Sequence, residues 1–87
     1  MNYYYAPSFL RQLKKLDPAI QAEAIEKISL FKTGDYGRQL KVHKLSGWLN
    51  DRYSFSVDYR VRIVFTYVHK RKGILFVAIG DHDVYKN

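Results

Sequence analysis

The stretch whose reading decides the fold is "RYSFSVDYRVRIVFTYV", residues 52–68. Its first part alternates, with Tyr53, Phe55 and Val57 pointing one way and Arg52, Ser54 and Ser56 the other, the period of a half-buried strand. The second part continues the pattern. Val61, Ile63, Phe65 and Tyr67 share one face, and Arg60, Arg62, Val64 and Thr66 the opposite one. Two such strands make a hairpin only in a register that keeps both apolar sets together. A turn of Asp58 and Tyr59 alone would pair Val57 with Arg60 and split the set. Pairing Val57 with Val61 across a loop from Asp58 to Arg60 keeps it whole and sets Ser56 opposite Arg62.

Downstream, "HKRKG" (69–73) reads as a polar turn and "ILFVAI" (74–79) as an almost wholly apolar strand, suited to the centre of a sheet. Upstream, "LKVHKL" (40–45) is a short strand candidate that ends at the turn "SGWLND" (46–51). Before it lies a helix over "DPAIQAEAIEKISLFKTG". Asp17 is at the N-cap, Pro18 at the first helical position and Gly34 beyond the end, with a stripe of Ile20, Ala24, Ile28 and Phe31. A first amphipathic helix covers "SFLRQLKKL", with Phe9, Leu13 and Leu16 opposed to Arg11, Lys14 and Lys15. The opening "NYYY" favours a strand, stopped by "AP". The expected fold is α+β: an N-terminal strand and a two-helix hairpin packed on one face of a mostly antiparallel twisted sheet, leaving the other face polar and basic.

The chain has 87 residues, 47% of them hydrophobic and 16% aromatic, and no cysteine. That suits a single domain over 1–87, stabilised by packing alone. Cysteine nucleophiles are excluded, and no glycine-rich phosphate loop occurs. No apolar run is long enough to span a bilayer and the start lacks a secretion signal, which points to a cytoplasmic protein without a membrane partner. The net charge of +7 calls for negative counterparts. Nine of the fifteen Lys and Arg fall between Arg38 and Lys72, interleaved with Tyr36, Trp48, Tyr53, Phe55, Tyr59, Phe65 and Tyr67. Basic and aromatic residues mixed in this way suit phosphate contact and base stacking, although a solvated charged face or an acidic protein partner accounts for the charge equally.

Several residues could carry chemistry. Arg62 lies mid-strand on the face turned from the helices, where a fixed guanidinium could grip a phosphate by two donors. His82, in "GDHDVY", follows the last strand and titrates near neutrality, with Asp81 and Asp83 beside it. Tyr85 could stack on a base or pack on the core edge. His43 lies between Lys41 and Lys44 as a candidate second acid or base, while His69 reads as merely exposed. A metal at "DHD" is disfavoured, because neighbouring ligands on a strand diverge and no spaced second cluster exists.

Taken in order, "FLRQLKKLDPAIQAEAIEKI", "HKLSG", "WLNDRYSFSVDYRVRIVF" and "ILFVAIGDHDVYK" resemble the RelE/ParE superfamily of bacterial toxins from type II toxin-antitoxin pairs, above all its RelE and YafQ-like branch. The resemblance spans nearly the whole chain. It implies a ribosome-dependent mRNA endoribonuclease that inhibits translation, uses no metal or other cofactor, and is neutralised by a small acidic antitoxin in a toxin-antitoxin hetero-oligomer. It implies that Arg62 is the arginine of the catalytic face, that His82 and His43 match YafQ-like histidines, and that Tyr85 is near the C-terminal aromatic. Ser54 and Ser56 stand where RelE carries lysines, and a further YafQ-like histidine is missing. Either activity is reduced, or Lys41, Lys44, Arg52 and Arg60 supply the charge that holds RNA. On the same fold, a ParE-like gyrase poison or an inactive antitoxin-binding relative would need no catalytic group.

Overall fold

The computed structural model describes residues 1–49 and 51–81. The elements run β1 (Asn2–Tyr5), α1 (Pro7–Lys14), α2 (Pro18–Thr33), β2 (His43–Lys44), a 3-10 turn (Gly47–Leu49), β3 (Tyr53–Ser56), β4 (Arg62–Val68) and β5 (Gly73–Gly80). All five strands join in one sheet of order β1-β5-β4-β3-β2, antiparallel except for β1, which runs parallel to β5. This is the expected α+β arrangement. β5 lies between β1 and β4, as its apolar sequence requires.

The helices begin and end where local chemistry dictates. Pro7 and Pro18 open them, their missing N–H groups falling where no helical partner exists, and Gly34 closes α2 at φ 74°. Asp17 occupies the N-cap of α2 without a side-chain bond to the helix. Ala24, Ile28 and Phe31 are buried on one stripe of α2. Phe31 is the hub of the core: its ring lies 4.7 Å from Phe55, 4.9 Å from Phe65, 6.0 Å from Phe76 and 5.6 Å from Tyr36, centroid to centroid.

The β3–β4 register is as expected, with Phe55 opposite Ile63 and Ser56 opposite Arg62. Two features differ from the sequence reading. The strand expected over 40–45 shrinks to His43–Lys44, because Lys41 turns left-handed at φ 53° and breaks the extended run. In β5 the register shifts between Ala78, opposite Val64, and Phe76, opposite Phe65, so that Val77 is an inserted bulge residue. The bulge puts both Phe76 and Ile79 into the core although they are three apart, and leaves Val77 and Ala78 to the opposite face.

β1 covers β5 only as far as Phe76, and α1 takes over from there. The Ala6 N–H donates to the Phe76 carbonyl at 2.9 Å, the Ser8 hydroxyl to the Val77 carbonyl at 2.9 Å, and the Ile79 N–H to Gln12 Oε1 at 2.9 Å. Side chains one helical turn apart thereby replace an edge strand. Among the described residues, no helix is long and apolar enough to cross a membrane. Gln12→Ala strips a buried strand N–H of its acceptor and is expected to lower unfolding stability by about 1–2 kcal/mol. Urea denaturation beside Lys14→Ala, an exposed control on the same helix, checks this; equal stability of the two variants would remove Gln12 from the sheet edge's support.

Candidate functional site

The site is built by the register of the sheet on the face turned away from α2. Directly opposed residues share a face, so His43, Ser54, Val64 and Ala78 form one row. Ser56, Arg62 and Gly80 form the next row on one side, and Thr66 and Leu75 belong to the row on the other. Leu45 N–H donates to the Arg52 carbonyl at 2.9 Å, bringing Arg52 beside β2. A hollow of about 300 Å³ opens here, lined by Ser8 and Gln12 of α1 together with Leu45, Leu49, Arg52, Val64, Val77 and Ala78. Its floor is apolar because the bulge presents Val77 and Ala78 together, and Arg52 brings a positive charge to its wall. Ser54, fully buried within the row, is the one buried polar residue among those described.

The end of this face at the β3–β4 loop is locked. Asp58 Oδ1 accepts the N–H groups of Arg60 at 2.8 Å and Val61 at 2.6 Å, while the Val61 carbonyl accepts from the N–H groups of Val57 at 2.9 Å and Asp58 at 3.4 Å. Arg62 closes the loop from the strand. Its Nη1 donates to the carbonyls of Asp58 at 2.7 Å and Val61 at 3.2 Å, and its Nη2 to that of Tyr59 at 3.2 Å. A guanidinium has five donors, so among the described residues these three bonds leave two for a ligand. The Val61 N–H, more than any other group, holds the Asp58 carboxyl below its ordinary value; partial burial opposes it, and the Arg60 N–H with the charges of Arg60 and Arg62 adds to it.

The sequence-predicted residues divide between the faces. Arg62, His43 and Arg52 come together on one face. His43 is exposed, with Nδ1 2.9 Å from the Lys41 carbonyl, which leaves Nε2 toward solvent. Arg62 and His43 are two strands and one residue pair apart, roughly 12 Å between Cα atoms, too far to share one proton. Arg60 and Lys41 are exposed beside the locked end. Lys44 is set apart, because it pairs with Tyr53, whose ring stacks on Phe65 on the helix side of the sheet. His69 is exposed in the β4–β5 turn, its ring edge against Tyr4. His82 and Tyr85 lie outside the described residues. Among the described residues no three His, Cys, Asp or Glu side chains gather to hold a metal. Ser8 and Gln12 were readable only as helix positions, since bonds to strand residues far along the chain leave no periodic trace.

The architecture is that of the RelE/ParE-like toxins. YafQ from E. coli superposes with a TM-score of 0.79 at 12% identity, covering 99% of this chain and 98% of that one. A YoeB/ParE toxin from Agrobacterium tumefaciens gives 0.76 at 14% identity, over 94% and 99%. The archaeal RelE–RelB complex from Pyrococcus horikoshii contains a chain matching at 0.70 and 17% identity, over 92% of each. At these identities the likeness is one of fold. No protein-family model matches the chain, and no curated protein does.

The Asp58 lock generates a pH-dependent expectation. Its folded-state pKa is depressed, so its stabilisation is present above the unfolded value near 3.8 and is lost as pH falls through the folded value. Asp58→Ala should cost about 1 kcal/mol at neutral pH, a modest figure because the loop is partly solvated. Urea titrations of both proteins at neutral pH and at about pH 2 should show the gap closing in acid; a gap of equal size at both would assign the loss to something other than the carboxylate.

Proposed function

We propose that this chain is the toxin of a type II toxin-antitoxin pair and acts in the cytoplasm as an endoribonuclease on ribosome-bound mRNA, without metal or cofactor. The observation that carries the reading is the placement of His43, Arg52 and Arg62 on one sheet face, with β5 ending at Gly80 opposite Arg62, two positions before His82 in the sequence. The fold shared with YafQ, YoeB/ParE and RelE proteins supports it.

In this reading the RNA 2'-hydroxyl oxygen attacks the adjacent phosphorus and the bond to the 5'-oxygen breaks, leaving a cyclic phosphate. One histidine takes the hydroxyl proton and another group returns a proton to the leaving oxygen, roles assigned to His82 and His43. The two donors of Arg62 that no described residue accepts meet the non-bridging oxygens, where negative charge grows, and its three loop carbonyls hold it without reorganisation. Tyr85 positions a base, and Arg52, Arg60 and Lys41 hold flanking phosphates. Lys44, on the other side of the sheet, is left for another surface. A small acidic antitoxin covers the basic face in a hetero-oligomer, as a RelB partner accompanies RelE in the Pyrococcus complex.

A second reading, a gyrase poison without chemistry, draws on the same Arg62 bonds, which would serve a purely structural arginine equally well. Primer extension on mRNA in a cell-free translation reaction separates the two. Cuts that require ribosomes and fall about 10²-fold or more in His82→Ala are expected. Intact mRNA alongside gyrase-dependent DNA breaks would replace the first reading by the second.

A further inference from the structure

Tyr59 is the most exposed of the large apolar side chains described, at 88%, yet it stands on the most tightly bonded loop of the sheet. The two residues after it, Arg60 and Val61, are pinned by the carboxylate of the residue before it, Asp58, its own carbonyl is held by Arg62, and the loop ends are closed through Val61. A ring displayed on a mobile loop must lose conformational freedom when it binds; a ring on a locked backbone gives up little more than its own rotamers. Trp48, also largely exposed at 70%, sits on a 3-10 turn to which no side chain bonds among the described residues.

Charge around the ring selects the ligand. Arg60 follows it in the chain, the Arg62 guanidinium lies against its carbonyl, and Lys41 is brought to this end of the sheet by the bond from the Ser56 N–H to the Leu40 carbonyl at 2.7 Å. The carboxylate of the loop, Asp58, is already occupied by two backbone N–H groups. What fits is a flat ring attached to negative charge. We infer that Tyr59 is a stacking platform for a nucleobase of single-stranded RNA, with the adjoining phosphate on Arg60 and Arg62. This rests on the proposed action on RNA and adds to it a base contact on the opposite side of the Arg62 row from the hollow. An exposed aromatic platform accepts any base, so it supplies affinity and register more than sequence choice.

The test uses the full chain and a fluorescein-labelled single-stranded RNA of about 12 nucleotides, 2'-O-methylated throughout so that no hydroxyl can attack. Affinity is read by anisotropy for the wild type, Tyr59→Ala and Tyr59→Phe, on the intact RNA and on a set with one abasic nucleotide moved along it. Tyr59→Ala is expected to weaken binding of intact RNA about tenfold, while Tyr59→Phe, which keeps the ring, stays near wild type. One abasic position should weaken wild-type binding by the same factor and make Tyr59→Ala no worse, the signature of a shared contact. Equal affinities of wild type and Tyr59→Ala overturn the platform, and so does additive loss at every abasic position. Translation-coupled cleavage is measured in parallel. Cleavage by the wild type with no effect of Tyr59 on binding removes the platform alone, whereas platform-dependent binding without cleavage removes the nuclease reading alone. Absence of both RNA binding and cleavage in the wild type removes both.

Discussion

The pairing of Val57 with Val61 governs the rest of the molecule. Side chains on a strand alternate faces, so a slip of one residue at this loop would split the apolar sets, sending to solvent either Phe55, with Ser54 and Ser56 turned inward, or Ile63 and Phe65, with Arg62 turned inward. Asp58 and Arg62 hold that register from both sides of the loop, one accepting N–H groups and the other donating to carbonyls. The arginine on the proposed functional face is therefore also the residue that keeps the face turned outward.

With the register set, the aromatic residues fall into place. Phe55, Phe65 and Phe76 arrive on adjacent strands at the level of Phe31, and α2 is positioned by inserting that ring among them. The bulge at Val77 then divides labour along β5 between two faces, core on one and the floor of the hollow on the other. Without it, Phe76 and Ile79 could not both be buried, and the hollow would lose its paired Val77 and Ala78.

Most of this architecture was legible because it depends on periodicity. The stripe of α2, the prolines and glycine at helix ends, and the opposed sets of β3 and β4 leave local marks in the chain, and the face of Arg62 and His43 follows from parity. The bulge left none, since "ILFVAI" is apolar throughout and offers no alternation to interrupt. Lys41 reads as strand because a left-handed lysine has no compositional sign. In the sequence Lys44 reads as part of one basic cluster with His43, although neighbours on a strand must point apart. The direction of the Arg62 guanidinium depends on three carbonyls gathered by the loop, and no spacing in the sequence encodes that.

The parallel pairing of β1 with β5 joins Asn2 to Gly73 and Tyr5 to Phe76, the most distant partners in the sheet. Closing so long a loop carries the greatest entropic cost of any strand pair here, whereas the β3–β4 and β4–β5 hairpins close locally. During synthesis the first strand emerges long before its partner exists, and its tyrosines must wait unpaired while some seventy further residues are made. The sheet thus grows outward from its antiparallel hairpins and is sealed at its β1 edge only at the end. Because α1 reaches β5 through the same edge, the wall of the hollow formed by Ser8 and Gln12 is among the last parts to assemble. A chain still being translated carries the basic strands without the finished surface.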